Sequence, residues 1–328
     1  MADFIEDIRV TDYTTTSRNG YTPIHVKVWK PNGDPTGVIQ IAHGMSEYIE
    51  RYDRFARYMA SKGFLVVGND MMGNGQSVES EDDLGYFSIP IKGLKGAMKN
   101  ATTSSAYVVR DLHYITKVVK KHYPGIPYVL YGHSMGSFMA RRYLMEFGKE
   151  LDGLILTGSG RIPYNRAMAI YGMVHSLIKT RGDRHIPVGI GKVMYKSFNR
   201  GIKNPSSPNS WISSMEDRVK EYDEDPKCGF PYTLNGYEAL AETLVFIEDK
   251  NNLERMPKDA KIYIMNGSED PLGNFGEGVK ELLEEFQSYG IDNCSMVLYE
   301  GCRHEIINDT CEEKVYQDMH DWIIENVM

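Results

Sequence analysis

The sequence predicts an α/β fold in which a mostly parallel central sheet is flanked by helices and carries one helical cap insertion. Two observations lead to this prediction. Short β-rich runs alternate with helical stretches over most of the 328 residues, and such an alternation is joined by right-handed crossovers into a mainly parallel sheet. The alternation stops between about residues 160 and 235, a segment rich in methionine and aromatic residues that contains no apolar β run.

Seven segments have the composition of strands. Residues 24–29 alternate apolar and polar side chains and end at Pro31–Pro35, a strong turn signal. Residues 64–67 form a continuous apolar run, which is typical of a strand buried on both faces. The predicted strands are residues 24–29, 38–42, 64–67, 128–131, 154–156, 262–265 and 296–299.

Five segments, four between these strands and one after the last of them, have helical periodicity. Residues 51–61 place Phe55, Tyr58 and Met59 at helical spacing and stop at Gly63, and residues 105–122 carry valine, leucine and isoleucine on one face. The predicted helices are residues 51–61, 105–122, 135–147, 279–289 and 312–326.

Composition and charge exclude several classes of protein. With 41% hydrophobic and 25% charged residues, the chain is neither disordered, collagen-like nor a coiled coil. A net charge of −8 argues against general nucleic-acid binding, and no apolar run approaches the roughly 18 to 20 residues that span a bilayer. The acidic first residues do not resemble a signal peptide. The four cysteines contain no C-x-x-C pair, so they predict neither a disulfide framework nor a structural zinc site. We therefore expect a cytoplasmic location.

A candidate nucleophile lies where the strand 128–131 meets the helix 135–147. Gly132–Gly136 has the pattern G-x-S-x-G in the context of strand, tight turn and helix that defines a nucleophile elbow. The turn holds Ser134 in a strained conformation at its tip, and the new helix directs its N–H groups and dipole at the site. The alternative is a glycine-rich turn in which Ser134 only caps the helix.

A serine hydroxyl needs a base, and the base needs an acid that orients it. Of the nine histidines, His304 directly follows the last strand, so its loop can reach Ser134 at the carboxyl edge of the sheet. Asp270 follows the strand 262–265 and precedes Pro271, which favours a rigid turn, while the neighbouring Glu269 is its rival. The order Ser134, Asp270, His304 is that of nucleophile, acid and base in α/β-hydrolases.

The tetrahedral intermediate requires backbone N–H donors that form an oxyanion hole. Met135, which follows the nucleophile, is expected to supply one donor. Met45, in the loop His43–Glu47 after the strand 38–42, is expected to supply the other. The alternative is that His43 and Gly44 form a simple turn at the end of a strand.

Together these motifs resemble the α/β-hydrolase branch that contains monoacylglycerol lipases and bacterial lysophospholipase-like proteins, also called serine aminopeptidase-like hydrolases. The matching residues are Ala42–Glu47, Asn69–Ser77, Gly132–Gly136, Gly267–Pro271 and His304. The resemblance implies an ester or thioester hydrolase with a helical cap and no cofactor, and it supports the oxyanion roles of Met45 and Met135. The family usually carries histidines at the positions of Met71 and Asn74, residues that support neighbouring loops.

The predicted domains are a hydrolase core, residues 1–159 and 236–328, and a helical cap, residues 160–235. From Arg161 to Lys203 the cap has nine basic residues and one acid, a charge of +8, whereas Glu216–Asp225 has six acids and two bases. The basic residues either form solvated faces or attract anionic lipid or anionic substrates.

The leading hypothesis is a serine hydrolase that cleaves carboxylic esters of single-chain or small acyl substrates through an acyl-enzyme on Ser134. An aminopeptidase of the same fold would need acidic groups near the site for the substrate ammonium, and only Glu216–Asp225 could supply them. A non-catalytic binding protein on a hydrolase fold is the third hypothesis. The sequence makes no prediction about the oligomeric state.

Overall fold

The computed structural model describes residues 8–88 and 103–328, and its strands form one eight-stranded sheet. The strand order is β1-β2-β4-β3-β5-β6-β7-β8, in which β1, β2 and β4 pair antiparallel and all other neighbours pair parallel. The predicted, mostly parallel sheet is therefore confirmed. The strands are β1 (Arg9–Thr16), β2 (Pro23–Lys30), β3 (Gly37–Ala42), β4 (Phe64–Asn69), β5 (Tyr128–His133), β6 (Gly153–Thr157), β7 (Ile262–Gly267) and β8 (Cys294–Tyr299).

The edge strand β1 was not predicted. It has the sequence RVTDYTTT, most of its residues are exposed or half-buried, and it pairs antiparallel with β2 from Arg9 opposite Lys30 to Thr16 opposite Pro23. Because none of its residues is buried, its sequence has neither the continuous apolar run nor the regular alternation from which the other strands were predicted.

Helices cover both faces of the sheet, and every predicted helix is present. The helices are α1 (Asp53–Ser61), α2 (Ser104–His122), α3 (Met135–Phe147), α4 (Tyr164–Arg181), α5 (Val188–Phe198), α6 (Glu216–Glu224), α7 (Leu234–Ile247), α8 (Lys250–Leu253), α9 (Glu277–Ser288) and α10 (Glu312–Asn326). Helices α7 and α8 were not predicted from the sequence. Helix α7 packs on α2, α3 and α4, so apolar residues occur around much of its surface and its periodicity is weak.

Alternate residues of the central strands point into two separate hydrophobic clusters. Tyr128 and Leu130 of β5 belong to the cluster under α2, α3, α7 and α9, whereas Val129 and Tyr131 belong to the cluster under α1 and α10. Burial on both faces explains why these strands are nearly continuous apolar runs, and it holds their carboxyl ends in fixed positions at one edge of the sheet.

The segment between β6 and β7 begins with α4, α5 and α6, and no described residue from 160 to 235 is in a strand. A small cluster of Ile212, Val219, Tyr222 and Cys228 packs against Tyr48 and Trp211. Residue 235, the predicted end of the cap, lies in the first turn of α7.

The pairing of Cys302 with Cys311 was not expected from the sequence. The structure joins them as a disulfide with their Cα atoms 6.6 Å apart, and it leaves Cys228 and Cys294 as buried thiols. Sequence spacing does not reveal such a pair, because the approach of the two Cα atoms depends on the path of the loop that contains His304.

Two kinds of feature are missing from residues 8–88 and 103–328. None of the helices there is long and apolar enough to cross a membrane. No group of three or more histidine, cysteine, aspartate or glutamate residues there is arranged so that it could hold a metal ion.

Candidate active site

Ser134 occupies a strained turn between β5 and α3. Its φ and ψ are 53° and −121°, in a region that residues with a side chain rarely adopt, and its N–H donates to the carbonyl oxygen of Thr157 at 2.9 Å. The residue is half-buried at the amino terminus of α3, whose first N–H groups point toward it. The geometry is that of the predicted nucleophile elbow.

The two glycines that flank Ser134 are needed for close packing. A Cβ atom at Gly136 would overlap the carbonyl oxygens of Ala42 and His43, and one at Gly132 would lie 2.6 Å from the carbonyl oxygen of Gly136. The end of β3 therefore lies directly against the first turn of α3, and this contact places the loop after β3 beside Ser134.

His304 and Asp270 are joined in the loops that follow β8 and β7. The Nδ1 atom of His304 lies 3.0 Å from Oδ1 of Asp270, and the two residues are 2% and 0% exposed. Asn266 donates to Oδ2 of Asp270 at 2.8 Å, and the N–H of Leu272 donates to Oδ1 at 2.9 Å. The carboxylate is therefore held in one orientation by two further donors.

Glu269 lies away from this contact. Its side chain is 54% exposed, and its carboxylate is 3.6 Å from Nε of Arg303. The geometry favours Asp270 over Glu269 as the acid that orients His304.

The contact with Asp270 determines the protonation of His304. Burial by itself lowers the pKa of His304, but Asp270, assisted by Glu305 and Glu47, outweighs it, and the net effect raises the pKa above its usual value. With Nδ1–H donated to Asp270, Nε2 is the free acceptor, and it is buried without a hydrogen-bond partner among the described residues. An unprotonated Nε2 in this position has the properties of a general base.

His133 lies beside His304 but has different chemistry. The two rings are 4.8 Å apart, and Nδ1 of His133 lies 3.0 Å from the hydroxyl of Thr157. Gly158, with φ at +54°, lets the backbone approach both rings, since a Cβ there would lie 2.7 Å from His304 and 2.8 Å from His133. Burial, reinforced by the charge of a protonated His304, lowers the pKa of His133 to about 4. His133 is therefore neutral in the pH range in which His304 titrates.

The two expected oxyanion donors lie on adjacent segments. Met135 is the first residue of α3, and Met45 belongs to the loop after β3, in which a Cβ atom added at Gly44 would lie 3.2 Å from the ring of His133. In the part of the chain that the structure describes, the backbone N–H groups of Met45 and Met135 donate to no other protein group. Both donors are available for a ligand.

A buried ion network lies next to the loop after β3. Glu47 accepts hydrogen bonds from the N–H of Gly44 and from the hydroxyl of Tyr52. Arg51 donates to Glu47 at 2.7 Å and to both carboxylate oxygens of Glu305 at 2.6 and 2.7 Å. Burial by itself raises the pKa of Glu47, but Arg51, together with His133, His43 and the hydroxyl of Tyr52, outweighs it and lowers the pKa to about 2. One guanidinium thus ties the loop of Met45 to the loop of His304.

The segment predicted as the cap also contacts the loop after β3. Ser46, which has φ at 54°, accepts at its carbonyl oxygen from the hydroxyl of Tyr222 at 3.0 Å and from the N–H of Gly229 at 2.9 Å. The Ser46 hydroxyl donates to the carbonyl oxygen of Phe230 at 2.8 Å. The loop that carries Met45 is therefore held both by the ion network of Glu47 and Arg51 and by the segment predicted as the cap.

Asp70 and Asn74, in the motif after β4, support neighbouring loops. Asp70 accepts from the N–H groups of Ile49 and Gln76, both at 2.8 Å. Asn74 accepts from the hydroxyl of Tyr232 at 2.7 Å. The substitution of Asn74 for the family's usual histidine therefore retains a polar side chain that connects two loops.

No role was predicted from the sequence for Arg51, His133, Trp211 or Glu305. Two signals were available: Glu305 directly follows His304, and Glu47 and Arg51 have the i, i+4 spacing of an ion pair. Neither signal shows that Arg51 bridges both carboxylates, because Arg51 and Glu305 are 254 positions apart.

A family model described as serine aminopeptidase, S33, matches residues 33–311, which include every residue of the site described above. The chain belongs to the serine aminopeptidase S33 family. This S33 chain is 24% identical over 311 residues to a monoglyceride lipase homolog of monkeypox virus, with 93% of the chain and 95% of the relative covered. It is 22% identical to a monoacylglycerol lipase of Mycolicibacterium smegmatis, with 92% of each covered.

A solved structure agrees with the assignment of this chain to the S33 family. A thermostable carboxyl esterase from Bacillus coagulans in complex with glycerol superimposes with a TM-score of 0.86 at 27% identity, and the match covers 97% of this chain and 99% of that one. The predicted α/β-hydrolase fold and the resemblance to the monoacylglycerol lipase branch are confirmed. The predicted enzyme class, a serine ester hydrolase, is confirmed by the same relatives.

Proposed function

We propose that this S33 family protein hydrolyses carboxylic esters of single-chain acyl groups, with monoacylglycerols as its first candidate substrates, and that Ser134, His304 and Asp270 carry the reaction. The observation that supports this most directly is the contact at 3.0 Å between His304 and Asp270, which leaves a buried, unpartnered Nε2 next to the elbow of Ser134. Lipase and esterase relatives that span nearly the whole chain support the substrate class.

The proposed mechanism assigns one role to each of these groups. Ser134 attacks the ester carbonyl while His304 accepts its proton at Nε2, and Asp270 stabilises the resulting imidazolium. The N–H groups of Met45 and Met135 bind the oxyanion of the tetrahedral intermediate. His304 then returns the proton to the leaving alcohol, and water cleaves the acyl-enzyme by the same sequence of proton transfers.

The charges near the site disfavour an aminopeptidase. Part of the acidic stretch that could bind a substrate ammonium is engaged elsewhere, since Asp225 accepts from Tyr48 and Glu221 pairs with Arg218. The buried carboxylates Glu47 and Glu305 share Arg51. An uncharged ester needs no free carboxylate at the site.

A direct comparison of substrates tests the proposed function. We expect the purified protein to hydrolyse monoacylglycerols and p-nitrophenyl esters, measured from two to sixteen carbons, and to leave aminoacyl anilides nearly untouched. Ser134→Ala is the control for hydrolysis by any contaminant. Turnover of the anilides at a rate equal to or above that of the esters would replace this proposal with the aminopeptidase.

The predicted cap, residues 160–235, and its contact with anionic membranes also belong to this proposal. Arg161 and Arg184 pair with acidic residues, whereas no ion pair within the described ranges involves Arg166, Lys179, Arg181, Lys192, Lys196, Arg200 or Lys203, all of which are exposed. Val188 and Val193 are exposed among them, at 57% and 72%. Unpaired cations beside exposed apolar side chains favour an anionic lipid surface. The cytoplasmic location stays a prediction.

A further inference from the structure

The indole ring of Trp211 lies against the ring of His304. Their centroids are 4.5 Å apart at an interplanar angle of 40°, and the ring of Phe198 packs on the indole with a centroid distance of 4.6 Å. Trp211 belongs to the segment predicted as the cap, so the proposed general base is covered by a residue from outside the sheet.

Hydrogen bonds hold the backbone of Trp211 in this position. The carbonyl oxygen of Trp211 accepts from the N–H of His304 at 3.4 Å, and that of Ile212 accepts from the N–H of Glu305 at 2.7 Å. Arg303 donates to the carbonyl oxygens on both sides, those of Ser210 at 2.7 Å and Ser213 at 2.9 Å. The indole cannot leave His304 unless several of these bonds break.

The Nε1–H group of Trp211 has no hydrogen-bond partner among the described residues, although the atom is buried. Buried indole donors are normally paired, as Trp29 shows by donating to Asp53 at 2.7 Å. Nε2 of His304, on the adjacent ring, is also buried and unpaired. Two rings in contact thus present one unused donor and one unused acceptor.

We propose that Nε1–H of Trp211 donates a hydrogen bond to a hydroxyl group of the leaving alcohol and makes this residue a determinant of specificity for esters of glycerol and similar polyols. The inference rests on the proposed function. His304 returns its proton to the leaving oxygen as the acyl–oxygen bond breaks, so the alcohol lies beside the His304 ring at that moment. A second hydroxyl on the same alcohol is then within reach of the ring packed on His304. Trp211 transfers no proton and forms no covalent bond.

The test compares two substrates that differ only in the alcohol, a 1-monoacylglycerol and the propyl ester of the same fatty acid, both in nonionic detergent micelles. Wild-type protein is expected to prefer the monoacylglycerol in kcat/KM. Trp211→Phe keeps an aromatic ring but removes the donor, and we expect it to lower the preference by about five- to tenfold. Phe198→Leu is the matched control, because it changes the packing of the same indole without removing a donor, and its preference should equal that of wild type.

The possible results distinguish a failure of this inference from a failure of the proposed function. Equal losses on both substrates in Trp211→Phe would make Trp211 a positioning residue for His304 and overturn the specificity role. A wild-type protein that hydrolyses both esters without preference would overturn it without any variant. Failure of the wild-type protein to hydrolyse either ester would contradict the proposed function itself.

Discussion

The guanidinium of Arg51 donates to both carboxylate oxygens of Glu305, at 2.6 and 2.7 Å, and Glu305 directly follows His304 in the chain. The pair lies between the proposed general base and the loop that carries Met45. Because Asp270, Glu305 and Glu47 all raise the pKa of His304 against the opposing effect of burial, the charges of this network influence the pH at which His304 becomes a base.

The pH dependence of the activity tests this relationship. His304 must be neutral to accept a proton, and its pKa is raised above the ordinary value of 6.5, so kcat/KM should fall as the pH is lowered through a pKa above that value. Glu305→Gln removes one negative charge, so the acid limb should move to lower pH, with the plateau within about threefold of wild type. The measurement is a pH–rate profile with a soluble short-chain ester.

Glu269→Gln is the matched control for this profile, because it removes an exposed carboxylate from the same edge of the sheet. Its acid limb should stay where that of wild type lies. An acid limb of Glu305→Gln that stays in place or moves to higher pH would show that Glu305 does not act on His304 through its charge.

Replacement of the nucleophile should abolish hydrolysis. Ser134→Ala removes the hydroxyl from the elbow without adding bulk, so we expect a loss of at least about a thousandfold in kcat and no labelling by a fluorophosphonate. Thermal unfolding should show that the fold is retained. A variant that kept more than about a tenth of the wild-type rate would have a different nucleophile.

The identity of the acid is tested by two amide substitutions. Asp270→Asn retains the shape of the side chain but no longer stabilises the required tautomer and the imidazolium of His304, so we expect a loss in kcat on the order of a thousandfold. Glu269→Gln should stay within about tenfold of wild type, since its carboxylate faces Arg303. The opposite ranking in steady-state kinetics would assign the role to Glu269.

The close contact between α3 and β3 makes a prediction about stability. Gly136→Ala would force a Cβ atom into the carbonyl oxygens of Ala42 and His43, so we expect destabilisation by about 1 to 3 kcal/mol and a loss of activity. Gly172→Ala, in α4, where an added Cβ atom would meet no atom within 4 Å, should instead stabilise by about 0.5 to 1 kcal/mol. Urea unfolding measures both. A Gly136→Ala variant as stable and active as wild type would contradict the packing described here.

The exposed basic residues between Arg161 and Lys203 predict a salt-sensitive association with membranes. Each cation near an anionic surface contributes about 1 kcal/mol at low salt, and the effect decays within a Debye length. We expect cosedimentation with vesicles that contain anionic lipid and little with neutral ones, and a fall in binding as salt rises from about 0.05 to 0.5 M. Equal sedimentation with both kinds of vesicle at low salt would show that these residues form a solvated face.

The sequence by itself determined the fold class and the positions of the candidate catalytic residues. Ser134 was identified because the elbow is a local motif whose strand, turn and helix are contiguous in the chain. Asp270 and His304 were identified because each follows a predicted strand, and the carboxyl ends of parallel strands meet at one edge of a sheet. For these residues, short-range patterns together with one topological rule were sufficient.

Only the tertiary structure decided how these residues are supported. The choice between Asp270 and Glu269 depends on the direction of two adjacent side chains, which spacing does not encode. The bridge from Glu47 through Arg51 to Glu305, and the packing of Trp211 on His304, join residues far apart in the chain. Local sequence patterns indicate which faces of a helix or strand are buried. Contacts between remote loops form only when the packed sheet brings those loops to the same edge. For this physical reason, such contacts could not be predicted from this single sequence.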